Sequence, residues 1–323
     1  MRILYINDNM NFKYFNGDII KETIFGLDDN NNIIQNITFK NNMEILDIDK
    51  FKNIINLSNE IIIENGYLFY SYSYEISFAH YLCETVPKLY NYLNTYYNYK
   101  LLIPEHRYNI LCKNILNLLN INESQIIILK DKNIYMINDY ITTPIYHAIP
   151  SNFTYEHISI YKKIREKLNI LPNIEPLRKV YLKRDSVPNS LYGNSETGIL
   201  RQIINENELI EQLIKEGFEI ITLGNKNINE KTILLNNIKI LITPLGANCM
   251  NLIFSNSPHN IIYLSNNKMF GNDNYNYLSE ELNNSKINSI IIRYEGIQTD
   301  ISNQWNDSFR VDIKDILDKI INI

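Results

Sequence analysis

"IKILITPLGANCMNLIF", residues 238–254, decides how the second half of this chain folds. Its first residues are an Ile-rich apolar run that stops at Thr243-Pro244, the pattern of a strand buried on both faces. Gly246 and Ala247 then open a helix over 247–254 with small residues. A helix that starts where a strand ends is a ready anion site, because its first N–H groups lack helical partners and its dipole is positive there. Asn251 lies about one turn in, on an otherwise apolar helix. A buried Asn has to be hydrogen-bonded, so it either braces the loop or meets a ligand.

The same alternation extends outward. "KVYLKR" (179–184) reads as a strand, followed by a helix over 206–216, strand "FEIITLG" (218–224) and a helix over 228–236. Beyond the opening stretch come strand "NIIYLS" (260–265), a helix near 275–283 and strand "SIIIR" (289–293). Apolar strands alternating with helices imply a parallel sheet covered on both faces. Ligands of such sheets sit at the carboxyl ends of the strands, which directs attention to the residues after "VYLKR" and "ILITPLG".

The first half is more mixed. "NIIQNITF" (32–39), "EIIIENGYLFYSYSY" (60–74), "KLLIP" (100–104) and "SQIIIL" (124–129) read as strands, with a helix over 107–120. "NIYMINDYITTPIY" (133–146) reads as two short strands. An amphipathic helix, "TYEHISIYKKIREKLNI" (154–170), leads into "LPNIEPLR" (171–178), whose two prolines mark a break. Two domains are therefore expected, 1–160 and 177–323, joined by a linker over 161–176. A C-terminal helix either stays with the second domain or returns to the first.

Composition limits what such a chain does. At 323 residues it exceeds what one core usually holds. With 45% hydrophobic and 21% charged residues it is globular, not disordered. A net charge of −5 leaves no excess of Lys and Arg for nucleic acid, so no nucleic-acid partner is expected. Cys83, Cys112 and Cys249 are too scattered for zinc or a disulfide framework and read as buried thiols. "MRILYINDNMNFKYF" lacks an apolar signal region, and no apolar run reaches the roughly 18 residues of a membrane helix. A cytoplasmic location is expected, the host's cytoplasm or the virion if the source is a large DNA virus. The Asn-, Ile-, Lys- and Tyr-rich usage reflects an AT-rich genome and says nothing about chemistry.

Several side chains could carry chemistry. In "FAHYLCETVPKLY" (78–90), Phe78, Leu82, Val86 and Leu89 form the apolar face of a helix, while His80, Glu84 and Lys88 recur every fourth residue on the opposite face. A His–Glu pair at this spacing is either structural or a general base whose tautomer the carboxylate sets. Arg184 ends a strand and Arg201 precedes a helix; they are either solvated or clamp a diphosphate, which guanidinium forks match in charge and shape. Between them, "NSLYGNSETG" (189–198) is a small-residue loop whose Gly193 and Gly198 could let backbone N–H groups approach an anion. In "NENEL", Asn205 and Glu208 make a capping-box-like start. Glu206 either favours the helix dipole or accepts from ribose hydroxyls. The dinucleotide fingerprint GxGxxG is absent, and "GLDDN" (26–30) reads as a turn, not a metal-binding DxD.

In order along the chain, "FAHYLCETVPKL", "VYLKR", "RQIINENEL" and "PLGANCMNLIF" resemble the motifs of glycosyltransferase family 61, over about residues 75–265. The resemblance implies a GT-B-like α/β fold, two Rossmann-like α/β/α domains facing a cleft. It also implies inverting transfer of a sugar from a nucleotide donor, UDP-sugar first, to a hydroxyl of a glycan, glycoprotein or glycolipid. Carried onto this sequence, Arg184 and Arg201 meet the diphosphate, and Glu206, Gly246, Ala247 and Asn251 line the nucleotide pocket. His80, with Glu84 behind it, faces the acceptor. No metal and no cofactor beyond the donor are implied. The chain departs from the family pattern at Leu245, where many members have His, at Lys183, where Ser is usual, and in a longer Arg184-to-Arg201 interval. The reading from another class is a sugar-nucleotide- or glycan-binding protein that keeps this fold without transfer; donor turnover separates the two.

Overall fold

Strands buried along nearly their whole length need cover on both sides, and the second half of the chain supplies it. The computed structural model describes residues 2–13, 19–27, 33–36, 44–45, 60–69, 78–105, 109–131, 133–141, 153–170, 176–184, 202–224, 226–256, 260–268, 277–297 and 308–323. The chain divides into two units, one of residues 1–73 and 83–147, the other of 74–82 and 148–323. Both are mixed α/β, and each holds a sheet with parallel strands.

In the first unit, strands β1 (Arg2–Lys13), β2 (Ile19–Leu27), β3 (Ile33–Asn36), β4 (Glu44–Ile45), β5 (Glu60–Leu68), β6 (Lys100–Pro104), β7 (Ile126–Leu129) and β8 (Ile134–Ile141) share one sheet. Their order is β3-β2-β1-β8-β5-β6-β7, with β4 added to β1. Strands β8, β5, β6 and β7 run parallel, whereas β1, β2 and β3 join antiparallel. Gly66 lets β5 close on its neighbours, since a Cβ there would stand 2.7 Å from Leu102 Cδ1. The two short strands expected in 133–146 are one strand as far as Ile141, where the described stretch ends. The register explains it: Glu60 to Ile63 pair with Ile134 to Ile137 and Asn65 to Tyr67 with Asp139 to Ile141, without a shift of register between them.

The "FAHYLCETVPKLY" segment departs from a uniform helix. Helix α1 (Phe78–His80) widens into a π-helical turn over Tyr81–Thr85, and α2 (Lys88–Thr95) begins after Pro87. Proline has no N–H to give the carbonyl four residues back and its ring crowds that carbonyl, so a regular helix cannot run through "TVPKL". The apolar residues behave as their spacing predicts, with Leu82, Val86 and Leu89 fully buried. The polar stripe does not, because Glu84 and Lys88 are buried too. Helix α3 (Ile110–Leu118) follows, its N-terminal amide capped by Asn109, which accepts from Cys112 N at 3.0 Å.

In the second unit, helix α4 (Tyr155–Lys167) precedes a five-stranded parallel sheet. Its strands are β9 (Arg178–Leu182), β10 (Glu219–Ile221), β11 (Ile238–Pro244), β12 (Asn260–Asn266) and β13 (Asn288–Tyr294), in the order β10-β9-β11-β12-β13. Period-two alternation divides the side chains between two cores. Val180, Leu182, Leu241 and Tyr263 pack against Leu235 of α6 (Ile228–Leu235) and against Cys249 and Leu252 of a 3₁₀ helix over Ala247–Phe254. Tyr181, Ile242 and Leu264 face the other way, against Leu209 and Leu213 of α5 (Glu206–Lys215) and Ile316 of α8 (Ile313–Ile321). Helix α7 (Tyr277–Asn283) lies between β12 and β13 in the chain, and a two-stranded ribbon pairs β14 (Gly296–Ile297) with β15 (Ser308–Phe309). The C-terminal helix thus joins the core of the second unit.

Candidate functional site

The strand order itself points to a ligand edge. From β9 the chain moves outward to β10, then returns past β9 to lay down β11 on its other side. The connections leaving β9 and β11 therefore diverge, and a crevice opens between the carboxyl ends of those two strands. Lys183 and Arg184 follow β9; Leu245, Gly246 and Ala247 follow β11. Thr243 Oγ1 donates to Leu182 O at 3.2 Å, joining the two strands at that end.

Gly246 makes the turn. Its φ of 153° and ψ of −166° lie in a region that only glycine adopts without strain. The 3₁₀ helix begins directly after it, with Cys249 N donating to Gly246 O at 2.9 Å. Eight residues is long for this helix type, and packing holds it in place. Helix α1 packs against it, as does α6. At its far end the Arg165 guanidinium donates to Ile253 O at 3.1 Å, to Ser255 O at 2.7 Å and to Asn283 Oδ1 at 2.5 Å. These acceptors are all neutral, and burial pushes the Arg165 pKa down to about 10. Tyr161, from the same helix α4, donates to Leu82 O at 2.7 Å.

The 3₁₀ helix carries Asn251, which is 2% exposed. Its amide nitrogen donates to Asn248 O and Asn248 Oδ1, both at 2.8 Å, which fastens the first turn. Its Oδ1 has no hydrogen-bond partner among the described residues. Of the two roles open to Asn251 the bracing one is present, and one acceptor is left over. Leu245 is in the core beside Val180, Leu182 and Cys249, so it is a packing position in this chain.

Glu206 opens α5, and Tyr181 of β9 and Lys183 just after that strand reach it. Tyr181 Oη donates to Oε1 at 2.7 Å, and Lys183 Nζ stands 3.6 Å from Oε2. Burial, then the Glu206 carboxylate, pushes the Tyr181 phenol well above its ordinary pKa, so this hydroxyl stays a donor. The capping box expected at Asn205 and Glu208 is not formed. Asn205 instead exchanges two 3.0 Å hydrogen bonds with the backbone of Val311, tying the segment before α8 to the start of α5. Glu208 is left near Arg310, 3.9 Å away at the surface.

The remaining expected site residues are distributed as follows. Arg184 is half-buried, two residues past the end of β9. Arg201, the 189–198 loop with Gly193 and Gly198, and Asp28 and Asp29 lie outside the described residues, as do the side chains of His80 and Ala247. The chain passes between units within the π turn, after Leu82, so His80 belongs to the second unit and Glu84 to the first. Two buried lysines escaped sequence reasoning. Lys231 places its ammonium 4.4 Å from the centre of the Phe78 ring, joining α6 to α1. Lys88 is 1% exposed, and burial drives its pKa down to about 8, partly offset by Glu84.

The sequence model of the Glycosyltransferase 61 family matches residues 78–262, more than half of the chain. The chain belongs to glycosyltransferase family 61. The match runs from the first residue of α1 into β12, so it spans the strand ends, the Gly246 turn and Glu206. Membership makes the protein a glycosyltransferase, with a sugar donor and an acceptor as its partners. No curated protein matches this family 61 enzyme. Among its described residues no helix is long and apolar enough to cross a membrane.

Proposed function

We propose that this enzyme moves a sugar from a nucleoside-diphosphate donor, UDP-sugar first, to a hydroxyl of a glycan, glycoprotein or glycolipid, with inversion and without a metal ion. What supports the reading is the β9/β11 crevice, where a glycine-built turn and a helix start meet the strand end that carries Arg184. In the GT-B manner the second unit takes the nucleotide. Inversion is a single displacement, so one group removes the acceptor proton while the diphosphate is stabilised as it leaves. Arg184, Arg201 and the N–H groups after Gly246 fill the second role, with Ala247 and Asn251 lining the pocket. His80 fills the first, supported by Glu84, and Glu206 takes the ribose.

The test is a thermal-shift panel of UDP, GDP, CDP, CMP, dTDP and NAD, each with Mn²⁺ and with a chelator. A ligand at 100 times its Kd adds about 2.7 kcal/mol, which is readily seen as a rise in Tm. A rise with one nucleoside diphosphate, equal in both conditions, is the expected result. A rise that needs Mn²⁺ removes the metal-independent mechanism, and no rise with any nucleotide removes the donor assignment.

A further inference from the structure

Glu206 is held more firmly than a helix start requires. A carboxylate in the first turn is already favoured by the dipole and needs no side-chain partners. Here both oxygens are engaged, Oε1 by the Tyr181 hydroxyl at 2.7 Å and Oε2 by the Lys183 ammonium at 3.6 Å. Tyr181 and Lys183 stand two residues apart at the end of β9 and converge on one carboxylate. Tyr181 is fully buried in the core with Leu209 and Leu213 of α5. Packing on both sides therefore sets the place of its hydroxyl. Lys183 and Glu206 keep 35% and 21% of their side-chain surface, so the carboxylate is clamped yet still open to a ligand.

A carboxylate oxygen accepts two hydrogen bonds. Among the described residues the Tyr181 hydroxyl takes one site on Oε1 and the Lys183 ammonium, at 3.6 Å, pairs with Oε2 by charge alone, so each oxygen keeps an acceptor site and two adjacent hydroxyls match that arrangement. Lys183 adds a second property. A bare carboxylate near a leaving diphosphate repels it, and the ammonium cancels that charge without covering the free acceptor sites.

We propose that Tyr181 and Lys183 are positioning residues that hold Glu206 for a vicinal diol, so that they set the preference for a ribonucleotide donor over its 2′-deoxy counterpart. This rests on the nucleotide-sugar reading above.

The experiment titrates UDP, GDP and CDP, each beside its 2′-deoxy form, into the wild-type protein, Tyr181→Phe, Lys183→Met and Lys183→Arg in a calorimeter. The wild type should bind the ribose form of its preferred base roughly tenfold or more tighter than the deoxy form. Tyr181→Phe and Lys183→Met should each bring that ratio down to within about threefold by weakening only the ribose form, and Lys183→Arg should restore it. A merely structural role weakens both forms alike and leaves the ratio unchanged, which overturns the proposal. So does a wild type that does not distinguish the two forms. If no nucleoside diphosphate binds, the donor reading fails and takes this proposal with it, an outcome separate from an unchanged ratio.

Discussion

Replacing Lys88 with methionine should remove a rise in stability that the wild type shows between pH 8 and 10.5. Lys88 is 1% exposed, and its pKa falls from 10.5 to about 8 because burial penalises the charged form more than Glu84 supports it. A lysine so placed binds its proton about 3 kcal/mol more weakly in the folded chain than in the unfolded one. The sign follows from a depressed folded pKa on a base. Below about pH 8 the full penalty is present; between 8 and 10.5 the folded lysine loses its proton first and the penalty fades. Wild-type stability therefore gains about 3 kcal/mol from this group as the pH rises through that window. Lys88→Met keeps the length and apolar stem of the side chain without the charge. Urea unfolding should show the wild type gaining up to about 3 kcal/mol relative to the variant between pH 7 and pH 10. A difference between the two proteins that does not change across that window refutes the reasoning.

Other outcomes follow from the same geometry. Arg165→Ala leaves the carbonyls of Ile253 and Ser255 without their donor and should cost about 1–3 kcal/mol for each in urea unfolding. Arg165→Lys, which cannot fork to three acceptors, should recover only part of that loss. Gly246→Ala puts a side chain on a backbone at φ 153° and should cost about 1–3 kcal/mol, with a loss of nucleotide affinity seen by calorimetry. His80→Ala should abolish most transfer to the true acceptor while leaving donor binding intact; near-normal transfer assigns the base elsewhere.

The parts of this fold legible in the sequence are those governed by local periodicity. Strands β9, β11, β12 and β13, helices α4, α5 and α6 and the 247–254 helix lie where apolar runs and their breaks place them, because each buries a face its own spacing defines. Burial of Glu84 and Lys88 is not legible in that way. On a regular helix they fall opposite the apolar face, and Pro87 is the signal that the helix cannot be regular. The cap expected at Asn205 is missing for a different reason. Its amide finds two backbone partners in Val311, more than a hundred residues away, and a long-range pair outcompetes the local cap. The Tyr181–Glu206–Lys183 cluster is hidden in the sequence because Tyr181 and Glu206 are 25 residues apart, and only the packing of α5 on β9 brings them together.

The measurement that tests the central claim most directly is a calorimetric titration of UDP into the wild-type enzyme and into Arg184→Ala, both in chelator. The claim is that the crevice between β9 and β11 holds the donor diphosphate. It predicts one site per chain in the wild type and a Kd weaker by roughly tenfold or more in the variant, the loss of a charge-assisted contact. Equal affinity in the two proteins would place the nucleotide somewhere other than the end of β9.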